Sequence, residues 1–91
     1  MAKSDVHYFY VLECKDGTYY GGYTTDVARR EAEHNSGIGC KYTRNRRPVR
    51  VIHSECFETR SEATKAESAF KKLARKDKEQ YLQKNKEGDM R

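Results

Sequence analysis

The chain has little of what marks a secreted or membrane-bound protein. Its cysteines, Cys14, Cys40 and Cys56, are odd in number and far apart. Such spacing gives neither a disulfide framework nor the close pairs of a zinc site. No apolar run resembles a signal peptide, and no segment is long and apolar enough to span a membrane. Reduced thiols in a cytoplasm are the reading these absences support. Internal repeats and low-complexity tracts are missing too. Acidic residues are absent from Ile38 through Ser54, the stretch where Lys41, Arg44, Arg46, Arg47 and Arg50 crowd together.

What is present fits one small domain of 91 residues with a net charge of +5, a balance that suits a polyanionic partner. Elsewhere both signs mix, as on an ordinary solvated face. The loop with Lys41, Arg44, Arg46 and Arg47 therefore reads as phosphate-backbone contact, with Tyr42 interleaved to stack on an unpaired base. A membrane surface is disfavoured, because this stretch has no apolar face.

Aromatic and branched residues mark strands at 7–14 and 18–24, joined at Lys15-Asp16-Gly17. Thr25-Asp26 caps a helix that Gly37 stops, and a third strand spans 49–57. Thr59 with Glu62 forms a capping box for one helix running to about Gln83, with Ala63, Ala66, Phe70, Leu73 and Tyr81 at helical spacing. The expected fold is α/β, a small three-stranded, mainly antiparallel sheet flanked by helices. The domain covers 7–83, and the termini 1–6 and 84–91 are expected to be flexible.

Hairpin length decides whether the tyrosines act together. A two-residue turn sets Tyr10 opposite Tyr23 and sends Tyr20 to the other face. A three-residue loop pairs Tyr10 with Gly22, and Tyr20 then shares a face with Tyr10. Glycine third in the loop suits the turn-plus-bulge form. Tyr8, Tyr19 and Tyr23 read as ordinary sheet packing. Beside Tyr10 and Tyr20, the Gly21-Gly22 pair leaves room for a ligand.

Val27, Arg30 and His34 share one helical face, while Arg29, Glu31 and Glu33 look solvent-facing. An arginine on the apolar side needs an acid, a carbonyl or a substrate phosphate. His34 is either a helix-end residue or a second phosphate ligand. Glu67, at the edge of the last helix's apolar stripe, either pairs with Arg30 or holds a metal. A single carboxylate suffices for magnesium, which keeps several waters.

Tyr8-Phe9-Tyr10, Tyr20-Gly21-Gly22, Arg30 and Glu67, in this order and spacing, resemble the GIY-YIG nuclease superfamily, in its small single-domain bacterial branch. The first triplet has neither its glycine nor its isoleucine, and the second has Gly21 at its centre. The resemblance implies that Tyr10 and Tyr20 match the two motif tyrosines, Arg30 the catalytic arginine and Glu67 the metal-binding glutamate. It implies one-metal hydrolysis of a DNA phosphodiester, with Mg2+ or Mn2+ as the only cofactor. Tyr10, or a water it positions, would take the nucleophile's proton; Tyr20 would orient that water or a phosphate oxygen. Arg30 would offset charge on the phosphorane. Tyrosine ordinarily titrates near pH ~10, so a base role needs help from neighbours.

Many relatives carry a late asparagine; here Asn85 falls in the expected tail and has no assigned role. With no second recognition domain, low sequence preference is expected, with single-stranded or branched DNA as substrates and repair or recombination as the setting. The alternative is a catalytically inactive nucleic-acid-binding module.

Overall fold

The computed structural model describes residues 6–89; 1–5 and 90–91, parts of both expected flexible termini, lie outside the described residues, as does the side chain of Asn85. Strand β1 (His7–Cys14) lies between β2 (Tyr19–Thr24) and β3 (Val49–Phe57), giving a fully antiparallel sheet in the order β2-β1-β3.

The hairpin takes the three-residue loop. The Cys14 N–H donates to the Thr18 carbonyl at 2.9 Å, and Gly17 carries a φ of +85° that a side chain would resist. Asp16 steadies the turn by accepting from the Thr18 N–H at 3.1 Å and from its hydroxyl at 2.6 Å. Tyr10 therefore stands opposite Gly22, and Leu12 opposite Tyr20. Because side chains alternate across a strand, Tyr10 and Tyr20 share a face.

That face carries Tyr10, Leu12, Cys14 and Val49, with Tyr20, Val27 and Val51 packed against them. Helix α1 (Val27–Asn35) covers it, capped by the Asp26 side chain on the Arg29 N–H and followed by Gly37 at φ +90°. Asn35 clasps β3 by exchanging two hydrogen bonds with the Val49 backbone, at 2.7 and 2.9 Å. On the opposite face, Phe9 and Val11 pack against Phe70 of α3 (Arg60–Lys71) and against Tyr81 and Leu82 of α4 (Arg75–Asp89).

Three features depart from the sequence reading. The basic loop contains a single helical turn, α2 (Lys41–Arg44). The last helix is two helices, broken at 72–74. An unbroken helix over 60–89 would be about 45 Å long and would carry Tyr81 away from the sheet. The break folds α4 back so that Tyr81 and Leu82 meet Phe70, within a body 39 Å long. Glu31 is not a free surface charge either. A register shift between Val11 and Leu12 disturbs the β3 ladder, and the Glu31 carboxylate accepts from the Val51 N–H at 2.8 Å.

Candidate active site

The centre of the shared face is a buried polar chain. Tyr10 is 1% exposed, and its hydroxyl meets His34 Nε2 at 3.0 Å. His34 Nδ1 lies 2.8 Å from the Thr43 hydroxyl, and that hydroxyl donates to the Cys40 carbonyl at 3.3 Å. His34 and Thr43 are both fully buried. Two glycines make this possible. A Cβ on Gly22 would sit 2.5 Å from the Tyr10 hydroxyl oxygen, and one on Gly39 would collide with the His34 ring.

Arg30 stands close enough to the Tyr10 oxygen to favour its ionisation. Burial outweighs this and raises the Tyr10 pKa above 10.0. Burial also lowers the pKa of His34 below 6.5, and the Arg30 charge adds to the effect. At neutral pH the resting pair is thus phenol and neutral imidazole. The Arg30 guanidinium is held by Glu33 at 2.7 Å and by the Gly39 carbonyl at 3.1 Å. Glu33 is therefore its acid partner and not the solvent-facing residue expected, while Glu67 is elsewhere engaged.

Tyr20, half-buried, rests its ring edge-on against His34 at 5.2 Å and tilted against Tyr42 at 5.7 Å. Its pKa is raised, chiefly by burial and then by donation to the Cys40 thiol. Burial pushes the Cys40 thiol upward, but neighbouring hydrogen bonds, that of the Thr43 backbone first, outweigh it and leave it below 9.0. Glu67 on α3 reaches the site around the β2 edge. Its carboxylate pairs with Lys71 at 2.9 Å, and the Lys71 ammonium lies 5.7 Å from the centre of the Tyr20 ring. Glu67 is also near enough to Tyr10 to oppose its ionisation.

The predicted residues thus sort into two sets. Tyr10, Tyr20, Arg30 and His34 form one cluster, with Glu67 at its border. His34 does not point outward as a phosphate ligand, because both ring nitrogens are engaged inside the fold. In the basic loop, Lys41 and Arg44 are exposed and have no ion-pair partner among the described residues. Arg46 and Arg47 work partly as clasps. Arg46 pairs with Asp16 at 3.0 Å and lies 4.1 Å over the Tyr42 ring, while Arg47 donates to the Arg44 and Asn35 carbonyls. The sequence reading missed Thr43 and Cys40, which lie hidden in a stretch that looked uniformly basic. The glycines at 37 and 39 were the only hint of a tightly packed loop.

Tyr10 is buried and does not itself line an open cleft. A cavity of about 690 Å3 lies instead on the other side of the sheet, lined by Glu13, Tyr19, His53 and Leu82 among others. Around Tyr10, Arg30 and Tyr20 are only partly covered.

For a metal, Glu67 offers one carboxylate with a 21% exposed side chain, held by a helical ion pair worth only ~0.3–0.5 kcal/mol. No group of three or more His, Cys, Asp and Glu side chains converges among the described residues. The donor set therefore fits a hard ion that takes its remaining oxygens from water and substrate, and does not form a full protein cage.

Comparison with known proteins bears on the family and the fold. The model of the GIY-YIG catalytic domain matches residues 6–86. A UPF0213 protein of Listeria innocua is 71% identical over 87 residues, covering 96% of this chain and 97% of its own. A UPF0213 protein of Enterococcus faecalis is 69% identical, over 90% of this chain and 96% of its own. Among solved structures, the solution NMR structure of an E. faecalis protein superposes with a TM-score of 0.62 at 67% identity, over 92% and 90% of the two chains. That of a UPF0213 protein from Bacillus halodurans gives 0.58 at 50% identity, over 86% and 83%. With residues 6–86 matched by the family model and relatives this similar over nearly their whole length, the chain belongs to the GIY-YIG nuclease family, in the company of small bacterial UPF0213 proteins.

Proposed function

We propose that this protein is a metal-dependent endonuclease that hydrolyses DNA phosphodiester bonds with low sequence preference. The observation that carries the reading is the Tyr10 hydroxyl, set between the Arg30 guanidinium and His34 Nε2. In this reading the Tyr10 O–H bond breaks as its proton passes to His34 Nε2, and the phenolate oxygen takes the proton of the attacking water. Arg30 offsets the negative charge that develops beside it, first on the phenolate and then on the phosphorane. To reach a phosphate, Arg30 has to leave Glu33, an exchange of one anion for another.

Tyr20 orients the water or a phosphate oxygen. Glu67 would hold Mg2+ or Mn2+, which when bound supplies Lewis-acid stabilisation of the leaving oxygen. Lys41 and Arg44, with Tyr42, would grip the backbone and an unpaired base, which suits single-stranded or branched DNA and a place in repair or recombination.

The second reading, a binding module without turnover, is favoured by the burial of Tyr10 at 1% exposure. A panel of duplex, single-stranded and branched DNA, incubated with and without magnesium, separates the two. Nicking that needs magnesium and disappears in Tyr10→Phe supports the enzyme. Salt-sensitive binding indifferent to magnesium, with no cleavage of any substrate, supports the module.

A further inference from the structure

We propose that Thr43 is a positioning residue: its hydroxyl fixes the tautomer of His34 so that the ring always presents a bare Nε2 to Tyr10. This deepens the nuclease reading and rests on it for its catalytic consequence, though the tautomer itself is a property of the folded chain. The single proton of the Thr43 hydroxyl goes to the Cys40 carbonyl at 3.3 Å, with the Cys40 sulfur 3.6 Å from the same oxygen. The hydroxyl oxygen is then left to accept, and the group facing it at 2.8 Å is His34 Nδ1. Nδ1 must therefore carry the imidazole proton, and Nε2 must be the lone-pair nitrogen.

The other end of the chain requires the same arrangement. Arg30 can only donate, and its charge beside the Tyr10 oxygen turns the phenolic proton away from itself. The partner on the far side is His34 Nε2 at 3.0 Å. The donors thus run in one direction, from Tyr10 through His34 and Thr43 to the Cys40 carbonyl, with the Arg30 charge standing behind Tyr10. Reversing either hydrogen bond of the His34 ring alone would set two protons, or two lone pairs, against each other.

The fold is built to hold this order. Thr43 and His34 are both fully buried, so neither can exchange its partner for solvent. Gly39 lacks the Cβ that would collide with the ring, and its carbonyl also accepts from Arg30. Thr43, on the one-turn helix α2, thereby sets the proton-accepting edge of the site without itself touching substrate. The sequence could not show this, because a threonine among cations reads as surface.

Long-range proton–nitrogen NMR on the nitrogen-labelled full chain tests the assignment directly. Signals are assigned with His7→Gln and His53→Gln, which leave His34 as the only histidine in common. The wild type and Thr43→Ser are expected to show Nδ1 protonated and Nε2 bare. Thr43→Val, which keeps the shape and removes the acceptor, is expected to lose that single-tautomer signature. In cleavage assays Thr43→Val should lower kcat on the order of 10²-fold with KM unchanged, and Thr43→Ser should restore it. A protonated Nε2 in the wild type, or an unchanged tautomer and kcat in a folded Thr43→Val, overturns the proposal. If the wild type cuts no DNA at all, the nuclease reading fails while the wild-type tautomer still decides the role of Thr43.

Discussion

Gly22→Ala gives the sharpest test of how Tyr10 is seated, because the sign of its effect is diagnostic. Gly22 lies within β2 at an ordinary negative φ, where replacing glycine by alanine normally stabilises by ~0.4–1 kcal/mol. Here the added Cβ would stand 2.5 Å from the Tyr10 oxygen, 2.6 Å from Cζ and 2.9 Å from Cε1. Tyr10 is packed on all sides, so the ring or the strand has to shift. Overpacking of that kind costs ~1–3 kcal/mol. For a domain of this size each kcal/mol moves Tm by ~4–8 °C.

Calorimetry on the wild type and Gly22→Ala should therefore show a clear fall in Tm, accompanied by loss of cleavage. The penalty should vanish when Tyr10→Ala is also present, with a coupling of ~1–3 kcal/mol in the double-mutant cycle. A Tm that stays level or rises in Gly22→Ala would mean that the Tyr10 hydroxyl does not lie over Gly22, and the site as built here would be wrong.

Other expectations follow from the same geometry. Burial holds His34 below its ordinary 6.5, so the unfolded chain takes up a proton that the folded one refuses. Stability should be level well above that value and fall as pH drops through it toward the depressed folded pKa. Urea midpoints across that window should fall for the wild type and flatten in His34→Gln; equal slopes would show that His34 is not held neutral. Glu67→Gln should leave Tm within about 2–4 °C, since it removes only an exposed-type helical pair worth ~0.3–0.5 kcal/mol, while abolishing magnesium-dependent cleavage. A large loss of stability would mean that Glu67 is structural. Lys41→Ala and Arg44→Ala should each reduce the salt slope of DNA binding by about 1 without changing Tm. Arg46→Ala should also lower Tm, because it releases Asp16 and uncovers Tyr42; no change in Tm would exclude the clasp.

How much could be read in advance depends on whether a residue's partner is local. The hairpin register was legible because Gly17 demands a positive φ at the third loop position, and that fixes which tyrosine faces which. The caps at Asp26 and Thr59 were legible for the same reason, since each bond spans three residues. The break in the last helix was not, because the apolar spacing continues through it and only contact with Phe9 and Phe70 requires the turn. Glu31 and Glu33 looked like surface charges because a strand irregularity and an arginine on the same helix cannot be seen as partners from spacing alone. Arg46 and Arg47 were counted with the free cations, although their partners lie at the hairpin turn and the end of α1. Thr43 was invisible for the opposite reason: its importance comes wholly from a ring nine residues away, folded over a glycine.

The central claim is that these side chains hydrolyse a phosphodiester, and the most direct measurement is single-turnover cleavage of end-labelled single-stranded and branched DNA by the full chain across a magnesium titration. The account predicts strand scission that saturates with magnesium, stops when the metal is chelated, and is lost in both Tyr10→Phe and Glu67→Gln while both variants keep the wild-type fold. Intact DNA at every magnesium concentration, or scission that persists in either variant, would contradict it.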